Sequence, residues 1–165
     1  MKKVLFWGGL CLTLLFAACS KNNDNPPAFD HYAQFVIDST KIEAYLKSNN
    51  ITAIKDSTGV FYRILEPGTG TAELKPTAMP TVRYRGTLLN GTEFDKSDST
   101  NFGFRYMLRD LIPAWQIALP KVKKGGKIQI FTPSYFAYRN IDQGKIPANS
   151  VLIFDITLLD FTDPK

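Results

Sequence analysis

The residues of this chain whose types and spacing best suit a chemical role begin in the stretch 81–95. This stretch alternates apolar and polar residues, turns at Asn90-Gly91, and ends with the ring of Phe94 beside the carboxylate of Asp95. Aromatic and aliphatic side chains then recur at intervals as far as Phe154. These side chains bring no nucleophile, no metal ligand and no phosphate-binding loop. They indicate a site that works by shape and burial rather than by covalent chemistry.

Two other groups of residues invite a chemical reading and fail it. His31 is the single histidine of the chain and has no metal-ligand spacing around it, so we expect a surface residue. The run 123–127 is rich in lysine and glycine but lacks the spacing of a phosphate loop, and it predicts a turn between strands. We therefore expect neither a metal nor a cofactor.

Composition and charge exclude some classes of function. The chain has 165 residues, 44% of them hydrophobic, which suits one domain with accessory segments. Its net charge is +5, and without Lys2 and Lys3 the count falls to 18 basic against 15 acidic residues. So small and scattered an excess does not indicate a nucleic-acid partner.

The N-terminus has the pattern of a secretory signal. Lys2 and Lys3 precede an apolar run over residues 4–16, which is shorter than the about 20 residues that span a membrane. The following Ala17-Ala18-Cys19 resembles a bacterial lipobox, in which the cysteine is lipidated, although Phe16 stands where leucine is usual. The alternative is a secreted protein cleaved near Ala18.

The two cysteines fit this interpretation. Cys11 lies inside the apolar run and would leave with it, whereas Cys19 would carry the lipid. The mature protein would then have no disulfide, zinc site or reactive thiol, and its core alone would hold it together.

The rest of the chain predicts a helix and then a sheet. Residues 20–27 are polar and indicate a flexible tether. Residues 29–46 have apolar side chains at helical spacing, and this helix either packs on the domain or serves as a dimerisation arm. A second, short helix is predicted over 112–119, with Pro113 in its first turn. Strands are predicted over 60–65, 81–89, 92–96, 104–108, 127–132 and 151–161. The expected fold class is α+β, with an antiparallel sheet.

Four blocks in order over residues 59–161 resemble the FKBP-type peptidyl-prolyl isomerase family. They are 82–95, 106–115, 122–138 and 146–156. The resemblance implies an FKBP-like half-barrel sheet wrapped on one short helix. Together with the N-terminal signal pattern, it divides the chain into a lipoprotein signal peptide at 1–18, a tether at 19–28, a helical extension at 29–58 and an isomerase domain at 59–165.

The same resemblance implies a hydrophobic pocket. Asp95 and Tyr138 are the expected catalytic residues; Asp95 would orient neighbours such as Tyr84 and polarise the bound peptide. Trp115 would form the floor, and Tyr138 with the backbone N–H of Ile146 would hold substrate carbonyls. The substrate-binding residues would be Tyr84, Phe94, Phe104, Leu111, Ile112, Trp115, Ile146 and Phe154. The chain departs from the family at Arg139, where glycine is usual, and in a short loop over 139–145.

The implied activity is rotation about Xaa–Pro bonds in exported polypeptides, achieved by desolvation and twisting in the aromatic pocket. The implied partners are proline-containing clients, macrolide inhibitors and, through a lipid on Cys19, a membrane. The setting would be the cell envelope of a Gram-negative-type bacterium, with the periplasmic or surface face and the oligomeric state left open. Two alternatives stand beside this: a non-catalytic peptide-binding chaperone or adaptor of the same fold, and a lipoprotein whose sheet is only a partner surface.

Overall fold

A computed structural model describes residues 29–97 and 106–163. Their regular elements, in chain order, are α1 His31–Ser48, β1 Ile54–Lys55, β2 Phe61–Glu66, β3 Met79–Leu88, β4 Glu93–Lys96, α2 Pro113–Ala118, β5 Lys127–Thr132 and β6 Leu152–Thr162. Three short 3-10 turns, Leu108–Asp110, Leu119–Lys121 and Ser134–Phe136, join them. Within these two ranges, no helix has the length and apolar character needed to cross a membrane.

The strands form one six-stranded antiparallel sheet in the order β1-β2-β5-β6-β3-β4. The long, β-branched and aromatic β6 lies inside the sheet, paired with β3 from Met79↔Thr162 to Leu88↔Leu152 and with β5 on its other side. The β3–β4 hairpin turns at Asn90-Gly91, where Gly91 has a φ of +86° that suits glycine. The expected α+β antiparallel fold is confirmed.

The short helix α2 packs against one face of the sheet. Pro113 opens it, where the missing N–H costs nothing, and Ala114, Trp115 and Ala118 are buried. These side chains join the main core, to which β5 and β6 contribute residues such as Ile130 and Phe154. The pocket described below lies at one end of this helix–sheet interface.

The N-terminal helix α1 packs on the opposite face of the sheet. Its Ile42 and Leu46 form a second buried cluster with Phe61, Phe131 and Ile153. The last three are register partners, and successive strand residues point to opposite faces, so this cluster lies behind the one that holds α2. Of the two roles that the sequence left open for this helix, packing on the domain is the one observed.

One predicted strand is wrong where the structure describes it. Of the expected strand 104–108, residues 104 and 105 lie outside the described residues, Tyr106 and Met107 are irregular, and Leu108 begins a 3-10 turn. The amides of Leu108 and Arg109 donate to the carbonyls of Ala78 and Pro76, at 2.8 and 2.9 Å. These bonds hold the segment across the entry to β3 rather than in a strand ladder.

Candidate active site

A cavity of about 100 Å³ opens between α2 and the strands β3, β4 and β6. Its lining is Tyr84, Phe94, Asp95, Leu111, Ile112, Trp115, Tyr138 and Phe154. All eight belong to the ten pocket residues inferred from the sequence, so the structure brings together side chains that are spread over 71 positions of the chain. Of the other two, Phe104 lies outside the described residues, and Ile146 is buried in the adjoining core without lining the cavity.

Aromatic rings build the floor and one wall in a connected series. The ring of Trp115 meets Tyr84 edge-to-face at 5.2 Å and Phe154 at 5.5 Å between centroids. Phe154 meets Phe94 in the same way at 5.7 Å. Edge-to-face packing of this kind is favourable beyond the area it buries, so each ring helps to fix the next. Trp115 is 4% exposed and forms the floor.

Gly86 makes room for this wall. It faces Asp95 on β4 and Phe154 on β6 in the strand register. A Cβ atom at Gly86 would lie 2.5 Å from Cζ of Phe94 and 3.2 Å from Cε1 of Phe154. Sequence reasoning did not single out this residue, although a glycine inside a strand often marks such a close approach.

The polar groups of the cavity are a carboxylate and two phenols. Tyr84 donates its hydroxyl to Oδ2 of Asp95 at 2.5 Å, and the amide of Lys96 donates to Oδ1 at 2.9 Å. Burial, and then the hydrogen bond to Asp95, raise the pKa of Tyr84. Burial, and then the negative charge of Asp95, raise the pKa of Tyr138. Both shifts favour the neutral phenol, the form that donates a hydrogen bond.

Tyr138 and Ile146 come from the loops after β5. Tyr138 is half-buried and follows the turn Ser134–Phe136. The carbonyl of Ile146 accepts from Gln143 N at 2.9 Å, whereas its own N–H has no acceptor among the residues that the structure describes. A free amide donor of this kind can bind an incoming carbonyl oxygen.

Arg139 occupies a backbone conformation that favours glycine, with a φ of +56°. Its N–H donates to the carbonyl of Ser134 and its carbonyl accepts from the amide of Asn149, both at 2.8 Å. Its guanidinium lies 5.1 Å from the ring centroid of Tyr135. Arg139 thus stands in a left-handed backbone conformation that suits the glycine usual at this position in the family.

A second, larger groove of about 290 Å³ lies against α1. It is lined by His31, Tyr32, Phe35, Thr58, Tyr135 and Phe136. His31 is exposed, as expected, and packs edge-to-face on Phe29 and Tyr135 at 4.9 and 6.1 Å. The groove contains no carboxylate, so the smaller cavity, where Asp95 meets two phenols and an indole, is the better candidate for chemistry. In the two described ranges, no three His, Cys, Asp or Glu side chains are grouped closely enough to hold a metal.

Comparison with known proteins identifies the class to which this fold and cavity belong. The family model of FKBP-type peptidyl-prolyl cis-trans isomerases matches residues 70–159, and the chain belongs to that family.

The relatives within the family include proteins named FKBP-type peptidyl-prolyl cis-trans isomerase FkpA. That of Buchnera aphidicola subsp. Schizaphis graminum is 45% identical over 106 residues, which is 64% of this chain and 42% of the relative. That of Escherichia coli K12 is 41% identical over 104 residues, or 63% of this chain and 38% of the relative. The chain therefore spans less than half the length of these curated relatives.

Two solved structures share the fold. The crystal structure of FkpA from Escherichia coli superposes with a TM-score of 0.65 at 35% identity, over 79% of this chain and 64% of the other. A peptidyl-prolyl cis-trans isomerase from Pseudomonas syringae superposes with a TM-score of 0.64 over 77% of this chain and 95% of the other. Its sequence identity is 24%, so this second likeness supports the fold alone.

Proposed function

We propose that the chain catalyses cis–trans isomerisation of Xaa–Pro bonds in polypeptide clients, with the prolyl ring bound in the cavity above Trp115. The observation that carries the proposal is the hydrogen-bonded pair of Tyr84 and Asp95 at the edge of a connected aromatic series. An apolar floor with polar groups only at its edge fits a five-membered ring attached to a polar backbone.

The reaction needs no nucleophile, because no covalent bond breaks. Rotation crosses a barrier of about 18–20 kcal/mol that arises from amide resonance. The planar amide carries more charge separation than the twisted one, so a site poor in water favours the twisted form. An acceleration of about a thousandfold requires only about 4 kcal/mol of such preference.

Each polar group has a role in this scheme. Asp95 holds the phenol of Tyr84 in place and polarises the twisting amide. Tyr138, a neutral phenol, donates a hydrogen bond to a substrate carbonyl, and the N–H of Ile146 donates to a second one. Leu111, Ile112, Phe94 and Phe154 exclude water from the prolyl ring. Phe104 remains a proposed part of the wall from its position in the sequence.

A peptide-binding chaperone without useful catalysis is the second candidate function. The aromatic groove against α1, next to the turn that leads to Tyr138, favours it because that groove offers apolar surface beyond what a prolyl ring needs. In this alternative the cavity and the groove would grip unfolded segments, and the rate of bond rotation would not change.

Refolding of a client protein whose slow phase is limited by prolyl isomerisation separates the two functions. An isomerase at substoichiometric concentration raises the rate constant of the slow phase, and Asp95→Val or Trp115→Ala removes most of that gain. A chaperone instead reduces aggregation at stoichiometric concentration and leaves the rate constant unchanged. An unchanged rate constant with wild-type protein would overturn the isomerase proposal.

The remaining parts of the chain support an envelope protein. We propose that residues 1–18 are a signal peptide, that Cys19 carries a lipid, and that 19–28 tether the helical extension 29–58 and the isomerase domain 59–165 to a membrane of a Gram-negative-type bacterium. Labelling of cells with radioactive palmitate tests the anchor. Label is expected on the wild type and absent from Cys19→Ala; equal labelling of both would refute lipidation at Cys19.

Competition by a macrolide in the refolding assay tests the inhibitor class.

A further inference from the structure

We propose that Asp38 of α1 is a positioning residue for Tyr138: its buried carboxylate holds the turn Ser134–Phe136 and so fixes the segment that presents the Tyr138 phenol at the cavity. The inference rests on the proposed isomerase function for its kinetic consequence. Asp38 lies outside residues 70–159, the part matched by the family model.

The carboxylate of Asp38 is completely buried, and both of its oxygens accept hydrogen bonds. Its Oδ2 accepts from the amide of Ser134 at 2.8 Å and from the Ser134 hydroxyl at 2.5 Å. Its Oδ1 accepts from Nε2 of Gln34, one helical turn away, at 2.7 Å. Removing a carboxylate from water is costly unless donors replace the lost water, and two of these three donors belong to Ser134. Most of the hydrogen bonding that compensates for the burial of Asp38 therefore comes from one residue, 96 positions further along the chain.

Ser134 in turn controls the backbone on both sides of Tyr138. The carbonyl of Ser134 accepts from the amide of Ala137 at 3.0 Å and from that of Arg139 at 2.8 Å. The residues directly before and after Tyr138 are therefore both bonded to one peptide group, whose neighbouring amide is bonded to Asp38. Because Arg139 adopts a positive φ, this backbone is held in a conformation that its side chain does not favour, and the anchor offsets that cost.

Ring packing supports the same arrangement. Phe35 of α1 meets Phe136 edge-to-face at 6.0 Å between centroids. Asp38 and Phe35 lie three residues apart on one face of the helix, so α1 contacts the turn through one polar and one aromatic side chain. The outer helix is thereby connected to a residue of the cavity on the other side of the sheet.

A double-mutant cycle distinguishes positioning from general stabilisation. In the wild-type background, Asp38→Ala is expected to lower kcat for an Xaa–Pro peptide by about tenfold with little change in KM, since one well-placed hydrogen-bond donor is lost. In the Tyr138→Phe background, the same change should lower kcat less than about twofold, because the hydroxyl that Asp38 positions is already absent. Equal losses in both backgrounds would overturn the inference.

Two further variants serve as controls. In Asp38→Asn, the amide oxygen can still accept from Ser134. The new NH2 group can donate to the side-chain oxygen of Gln34 once the Gln34 amide has flipped. This variant should therefore recover most of the activity. Glu43→Gln lies on the same helix, where Glu43 forms an exposed ion pair with Lys55 at 3.1 Å, and should match the wild type. A loss of kcat in Glu43→Gln equal to that in Asp38→Ala would show a nonspecific effect of the helix and would contradict the inference.

Amide spectra test the positioning without relying on activity. In two-dimensional 1H–15N spectra, Asp38→Ala and the milder Ser134→Ala are expected to shift the signals of Tyr138 and Arg139 while leaving those of Phe94 and Asp95 in place. Unmoved Tyr138 and Arg139 signals in a folded Asp38→Ala or Ser134→Ala variant would refute the inference. A wild-type protein without isomerase activity would instead refute the proposed function, and the spectra would still decide the role of Asp38.

Discussion

The hydroxyl of Tyr84 donates a 2.5 Å hydrogen bond to Asp95 while the ring of the same residue packs edge-to-face on Trp115 at 5.2 Å. One side chain thus joins the polar edge of the cavity to its apolar floor. The bond forms because β3 and β4 make one hairpin in which Asp95 pairs with Gly86, two residues along β3 from Tyr84, so that the side chains of Tyr84 and Asp95 are diagonal neighbours on one face. The pair fixes the position of the carboxylate before any substrate arrives.

Removing the Tyr84 hydroxyl should weaken catalysis more than folding. Tyr84→Phe keeps the ring on Trp115 but leaves Asp95 with one donor fewer, at a cost of about 1.5 kcal/mol, or about tenfold in kcat/KM. Peptide isomerisation kinetics measure this change. Tyr45→Phe, on a ring that packs against Phe131 behind the sheet, is the matched control and should leave kcat/KM unchanged. Equal effects of the two substitutions would contradict the role given to Tyr84.

The phenols of Tyr84 and Tyr138 should lose their protons at a higher pH than an ordinary tyrosine does. Their folded-state pKa values are raised, so the neutral form is favoured in the folded protein. The associated stability is fully present below the ordinary tyrosine pKa near 10.0 and is lost as pH rises above it. Ultraviolet titration follows phenolate absorbance as pH rises. Compared with the wild type, Tyr84→Phe should lack absorbance only at the alkaline end of the curve, where the Tyr84 phenolate forms. A loss of amplitude near pH 10 would show that the pKa of Tyr84 is not raised.

Adding one methyl group at Gly86 should disturb the aromatic wall. In Gly86→Ala the new Cβ meets Phe94 and Phe154 inside contact distance, and overpacking of this kind costs about 1–3 kcal/mol. Urea unfolding measures the loss. The double variant Gly86→Ala/Phe94→Leu should recover part of it relative to the two single losses added together, because the smaller side chain vacates the space. If the losses of the two single variants simply added in the double variant, the cost of Gly86→Ala would not come from its contact with Phe94.

Arg139 allows a test of backbone strain with matched truncations. Both Arg139→Gly and Arg139→Ala lose the contact of the guanidinium with Tyr135, but only glycine is at ease at a φ of +56°. The glycine variant should therefore be more stable than the alanine variant by about 1 kcal/mol. Thermal unfolding of the two proteins gives the difference. A more stable alanine variant would mean that this left-handed conformation is not retained in solution.

The sequence sufficed for much of this site, for identifiable reasons. Asn90-Gly91 has a strong local turn preference, which set the hairpin and so placed Asp95 opposite Gly86, within reach of the Tyr84 hydroxyl. Alternation and β-branched residues located β5 and β6 to within a residue. The resemblance to the family then assigned Trp115 and Tyr138 to the same cavity, because the four similar blocks occur in the family's order.

Other parts depend on contacts between distant segments. Nothing near Asp38 in the sequence indicates that its partner is Ser134, and a polar residue on a helix is ordinarily expected at the surface. The need for glycine at position 86 follows from a strand register that shifts between Gly86 and Thr87, which no local pattern contains. The wrong prediction of a strand over 104–108 has the same origin, since the amides of Leu108 and Arg109 donate to the carbonyls of Ala78 and Pro76, which are distant in the sequence.

Magnetisation-exchange spectroscopy on an Xaa–Pro peptide, with protein far below peptide in concentration, tests the central claim most directly. The cis and trans forms exchange over about tens to hundreds of seconds when uncatalysed. We expect wild-type protein to bring exchange into the observable range, Asp95→Val and Trp115→Ala to lose most of the acceleration, and Glu43→Gln to retain it. Uncatalysed exchange in the presence of folded wild-type protein would contradict the claim that this cavity is an isomerase site.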